Sequence, residues 1–212
     1  MRSLFACWLA FACSLALAAV QPTRLDAYLT GLKTLRTDFE QTVVDSRGRE
    51  VQRDSGSLLV ERPGRFRWSL RDGKGQPAQV LVGDGLNLWF YDIALEQVTV
   101  KPAASTLPGT PAMLLAGEAP IRESFLVRAL PRQQGLDWVE VRPRRSDAEF
   151  AIAKFGFARN VLVSMRLTDK LGQVTTVKFN GAARNVALDP DEFRFSAPQG
   201  VDVIGTPASP SP

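Results

Sequence analysis

Histidine is missing from the 212 residues, and the two cysteines, Cys7 and Cys13, both stand within the first eighteen. Without histidine there is no Ser-His or Cys-His nucleophile. Zinc sites of the Cys/His type are excluded with it. No glycine-rich phosphate loop and no dinucleotide fingerprint appears. A basic stripe is missing too. The formal net charge is +4, with arginines scattered among acidic residues, so a nucleic-acid partner is not expected. Long hydrophobic runs are also scarce. Leu4 to Leu17 is apolar over 14 residues, against roughly 20 for a membrane-spanning helix.

That run follows Arg2 and ends in Ala16-Leu17-Ala18. A basic start, an apolar middle and small closing residues read as a secretory signal over residues 1–18. Cleavage near Ala19 would leave a soluble, exported chain with no thiol, and hence no disulfide framework. Ala10-Phe11-Ala12 precedes Cys13 without the leucine that a lipid-attachment site carries three residues earlier.

Carboxylates are the remaining candidates for chemistry. Asp189, Asp191 and Glu192 cluster around Pro190 as a polar turn, and Asp84 lies in an Asp-Gly turn ahead of Asp92. Spacing alone leaves a glycosidase-style acid pair open, but nothing supports one. No enzyme and no cofactor is expected.

Hydrophobic residues make up 45% and charged residues 23% of the chain, a globular balance. Residues 19–206 read as one domain, and the Pro- and Ser-containing 207–212 as a disordered tail. Thr23-Arg24-Leu25-Asp26 is a capping-box pattern. Leu25, Tyr28, Leu29, Leu32 and Leu35 follow at helical spacing, predicting a helix from about Arg24 to Thr37. After Asp38 the period becomes two. Ten or eleven strands follow, punctuated by Ser46-Arg47-Gly48-Arg49, Gly73-Lys74-Gly75 and Asp84-Gly85, with a last short one at Phe193 to Phe195. Between the two runs of strands, Thr110 and Pro111 open a short apolar helix that Gly117 ends. The class is mainly β (α+β): a single large antiparallel sheet with two or three short helices, and the resemblance stated below implies that it is a curled, unclosed half-barrel with the helices as its cover.

Several strands carry apolar groups on both faces. Leu86, Leu88 and Phe90 alternate with Trp89 and Tyr91, and Phe66-Arg67-Trp68-Ser69-Leu70 puts its large apolar groups on one side. Such excess serves either an ordinary packed core or a pocket that the helices only partly fill. On the second reading Phe39, Phe66, Trp68, Leu88 and Phe90 line the pocket, and Met113, Leu114 and Leu115 form its lid. Arg62, at a strand end before Pro63, is either a solvated arginine or a donor that reaches the unpartnered carbonyls of the short helix and latches it.

The stretches Leu35–Thr42, Arg62–Trp68, Asp84–Asp92, Leu95–Val98, Thr110–Leu115, Asp169–Thr175 and Pro198–Val203, in this order, resemble the periplasmic outer-membrane lipoprotein carrier family (LolA type). The resemblance spans about residues 24 to 204. It implies an eleven-stranded incomplete barrel with a helical lid. It also implies a periplasmic carrier of acylated outer-membrane lipoproteins, loaded by an inner-membrane lipoprotein-releasing ABC transporter and emptied onto an outer-membrane receptor lipoprotein; a monomer is expected because a shuttle must diffuse. It assigns the latch to Arg62 and a cargo contact to Phe66. A receptor of the same fold and an envelope protein for free lipids are the competing expectations.

Overall fold

The computed structural model describes residues 21–103, 110–117, 120–146 and 148–209. The expected signal, residues 1–18, lies outside them. Helix α1 (Arg24–Thr30) starts on the foreseen capping box: the Thr23 hydroxyl accepts from the Asp26 N–H, and the Asp26 carboxylate accepts from the Thr23 N–H. It is shorter than its periodicity suggested. Gly31 closes it with a hydrogen bond to the Ala27 carbonyl, and the chain is already extended from Thr34. Leu35, Thr37 and Phe39 are buried there at strand spacing. Two β-branched threonines just after a glycine favour the extended form, and Leu35 suits both periods.

Strands β1 (Thr34–Val44), β2 (Glu50–Glu61), β3 (Arg65–Arg71), β4 (Pro77–Asp84), β5 (Asn87–Asp92) and β6 (Gln97–Pro102) form a meander. Helices α2 (Pro111–Ala116) and α3 (Ile121–Ser124) interrupt it. Strands β7 (Phe125–Ala129), β8 (Asp137–Pro143), β9 (Phe150–Ala158), β10 (Val161–Asp169) and β11 (Val174–Arg184) form the second meander. The two join where β1 pairs antiparallel with β11. A short strand β12 (Asp202–Ile204) adds to β6 in parallel. The result is one sheet of 12 strands, ordered β12-β6-β5-β4-β3-β2-β1-β11-β10-β9-β8-β7, whose edges do not meet.

The count thus exceeds the expected ten or eleven, and the last strand lies elsewhere than foreseen. Phe193 ends a 3-10 turn (Pro190–Phe193), capped by the Asp189 carboxylate, instead of opening a strand.

Register decides which face each side chain takes. The pairs Leu35–Val60, Phe66–Val60, Trp68–Leu81 and Met165–Phe155 put one apolar set on the inner face, where the helices lie. Leu35, Phe39, Phe155, Met165 and Leu115 there are at most 1% exposed. The other set meets a second cover. Phe193 is buried, with the Arg65 guanidinium over its ring, and Phe195 packs on Trp89 and Tyr91. Apolar residues alternate on both sides of β4 and β5 because both sides are covered. Where the tail was expected to be disordered, the Asn87 side chain donates to the Ala208 carbonyl and accepts from its N–H.

Candidate functional site

Helix α2 is fastened to the sheet through its backbone carbonyls. Helix α2 is six residues long, with Thr110 capping the Met113 N–H and Pro111 in its first turn. So short a helix leaves its last carbonyls without internal partners. The segment after β2 supplies them. Arg62 Nη1 donates to the Leu115 carbonyl at 3.3 Å, and the Gly64 N–H donates to the Ala116 carbonyl at 2.8 Å. Gly64 reaches that position at φ 77°, a conformation glycine takes without strain. The Arg62–Pro63 peptide is cis.

Burial lowers the proton affinity of the Arg62 guanidinium, since its charge is drawn part-way out of water. Nearby, Arg122 grips both Asp26 oxygens, at 2.9 and 2.7 Å. Burial alone would raise the Asp26 carboxyl, but hydrogen bonds from Arg122 and Thr23 outweigh it and leave the pKa below the ordinary carboxylate value. The Asp26–Arg122 pair also ties α3 to α1 within the helical cover.

Arg62 stands between two cavities beneath that cover. One of about 320 Å³ is bounded by Leu29, Leu32, Ile121 and the Asp26–Arg122 pair; one of about 40 Å³ is bounded by Met113, Leu114 and Phe125. A third, of about 260 Å³, opens on the inner face over Trp68, Leu70, Leu81 and Phe90, with Thr110 at its edge. Ligand pockets for drug-sized molecules hold roughly 300–1,000 Å³.

The residues singled out from sequence fall on this surface in three ways. Trp68 and Phe90 line the third cavity, and Met113 and Leu114 the smallest. Phe39 stacks on Trp68 with ring centroids 4.0 Å apart. Phe66 and Leu115 are buried in the same core, with Leu88 packed against it, and Leu115 offers the latch its carbonyl. Phe90 is 37% exposed, an open wall beside a closed core.

Sequence reasoning missed the Gly64 bond, the Asp26–Arg122 tie and a polar group in the third cavity. That group is Gln41, Gln52 and Gln79, with the buried Asp54 behind the first two. Gln41 lies in the alternating run Phe39-Gln41-Val43, whose period put it on the apolar side; a polar residue there was the available signal.

The model for "Outer membrane lipoprotein carrier protein LolA" matches residues 30–196. An outer-membrane lipoprotein carrier protein of Chromobacterium violaceum is 42% identical over 181 residues, 85% of each chain. One from Nitrosospira multiformis is 40% identical over 181 residues, 85% of this chain and 86% of that one. One from Methylibium petroleiphilum is 36% identical over 200 residues, covering 93% and 96%. Among solved structures, an uncharacterized conserved protein from Thermus thermophilus superposes with a TM-score of 0.53 at 14% identity, over 85% of this chain and 96% of that one. The shared architecture is the open, helix-covered sheet.

Proposed function

The chain belongs to the outer-membrane lipoprotein carrier family, and from that premise we propose that it ferries acylated lipoproteins across the periplasm with their lipid tails on the inner face of the sheet. It works there as a monomer without cofactor or catalysis, after removal of residues 1–18. An inner-membrane lipoprotein-releasing ABC transporter loads it, and an outer-membrane receptor lipoprotein takes the cargo. The carrying observation is the lid: three short helices over an apolar face, latched from Arg62 to the Leu115 carbonyl.

The physics of carriage favours this construction. Burying acyl chains gains roughly 0.8 kcal/mol per CH₂, so a bare apolar groove would hold its cargo too tightly to release it. A lid that must open first lowers the apparent affinity by the fraction of open molecules. In the loaded state Phe39, Phe66, Trp68, Leu88 and Phe90 form the floor that the chains cover, and Met113, Leu114 and Leu115 shift aside.

The test is release. Inner-membrane vesicles carrying a labelled outer-membrane lipoprotein are mixed with the mature protein and ATP. Labelled lipoprotein in the soluble fraction, bound to this protein, is the expected result. No release, with lipid binding intact, would replace the carrier with a receptor or a free-lipid protein.

A further inference from the structure

The polar group in the third cavity is organised. Gln52 Nε2 donates to Asp54 Oδ2 at 2.7 Å, and Gln41 Nε2 reaches the same oxygen at 3.4 Å. On the other side of the cavity, Gln79 Nε2 donates to Asp92 Oδ2 at 3.2 Å. Asp54 is only 7% exposed, so its carboxylate is a fixed acceptor rather than a solvated one. Each amide is turned the same way, nitrogen to a carboxylate. Each therefore keeps its side-chain carbonyl as the free end, and among the described residues no donor is recorded on any of the three.

Three acceptors backed by two carboxylates, at the edge of an apolar surface, suit a ligand that brings N–H donors next to its chains. They oppose one that brings a phosphate there. An acylated N-terminal peptide has such donors: the amide of its N-acyl group and the peptide N–H groups that follow. A diacyl phospholipid with ester linkages has none near its chains, and its phosphate would face Asp54 and Asp92. Discrimination of this kind needs both an attraction and a repulsion, and the cavity holds both.

We propose that Gln41, Gln52 and Gln79, held by Asp54 and Asp92, select acylated peptide over bulk phospholipid by accepting its amide hydrogens while Trp68, Leu81 and Phe90 take the chains. This deepens the carrier reading and rests on it. A carrier working beside a phospholipid membrane needs such a choice, because the apolar surface alone does not distinguish one acyl chain from another.

The experiment is competitive displacement of a fluorescent fatty acyl probe from the mature protein. The competitors are a synthetic triacylated cysteinyl peptide, the same peptide with its amide nitrogens methylated, and dipalmitoylphosphatidylglycerol. The unmodified peptide should displace the probe at about tenfold lower concentration than either of the other two, as two hydrogen bonds of ordinary strength would give. In Q41M/Q52M/Q79M, and to a smaller degree in Gln79→Met alone, the three competitors should converge while the probe still binds. The ligand-side comparison requires no change in the protein, so a misfolded variant does not decide the matter. Equal displacement by the methylated and unmethylated peptides would overturn the proposal and leave the carrier intact. A wild-type protein that binds none of the acyl compounds would overturn both.

Discussion

The two halves of the sheet are built with opposite loose sides. In the first meander the inner face is under-filled: a cavity of about 260 Å³ opens between Trp68, Leu81 and Phe90. Its outer face is sealed by the Pro190–Phe193 turn, with Phe193 1% exposed. In the second meander the inner face is packed. Phe150, Phe155, Phe157, Leu162 and Met165 are at most 2% exposed. Its outer face is bare and charged. Glu140 sits under Arg128, Arg142 and Lys154, and Arg166 lies 4.9 Å above the Trp138 ring centre. One half is filled on its inner face where the other leaves a cavity. The packed half also seats α1, whose Tyr28 meets Phe157 edge-on at 5.5 Å.

Substitutions can break this contrast. The largest expected effect is Phe155→Ala in the packed half, a loss of about 3–5 kcal/mol in urea unfolding. Phe90→Ala in the open half should cost less than about 1 kcal/mol, because the side chain is 37% exposed. Equal costs would abolish the distinction. Next comes Glu140→Ala, which leaves three cations facing one another, at about 1–3 kcal/mol. Arg128→Ala, with its own side chain 69% exposed, should lower the unfolding free energy by less than about 0.5 kcal/mol.

Arg62→Leu sharpens the comparison from the side of binding. Freeing α2 should tighten binding of an acyl probe by about threefold to tenfold in fluorescence titration. An unchanged affinity would mean that the Arg62 bond does not hold the lid. The smallest effect is electrostatic and shows only in acid. Burial raises the Asp26 carboxyl and hydrogen bonds from Arg122 and Thr23 more than reverse it; for Glu140 the Arg142 hydrogen bond leads the lowering. Both folded pKa values lie below their unfolded ones. Their contribution is thus present above the ordinary carboxylate range and is lost as pH falls through the depressed values. Thermal unfolding of Asp26→Asn should show a flatter decline than wild type below that range, and a parallel decline would count against the tie between α1 and α3.

The mainly-β class, the lid helix and the capping box were legible because each has a local cause: period two, Thr-Pro before an apolar run, and Thr23 three residues before Asp26. The end of α1 was not. Leu32 and Leu35 fit both a helix and a strand, and the pairing of Leu35 with Val60 settles the matter from 25 residues away. The inner and outer faces of β4 and β5 could not be told apart for a related reason. Phe193 and Phe195, distant in sequence, supply the second cover that makes both faces apolar. Within the site, Arg62 was readable as a donor in search of carbonyls. The glutamines were not readable as a group, since Gln41, Gln52 and Gln79 converge only through the registers of four strands.

The latch grips main chain. Arg62 and Gly64 bind the carbonyls of Leu115 and Ala116, and a carbonyl is the same whatever side chain hangs beside it. The identity of the lid's apolar residues is thereby separated from the means of fastening it. Under the carrier mechanism proposed above, exchanging Met113, Leu114 or Leu115 for other apolar residues would alter the width or depth of chain accepted and leave the Arg62 and Gly64 bonds in place. Cargo range in such a fold can drift by ordinary point substitution, one helix turn at a time, without first having to reinvent the closure.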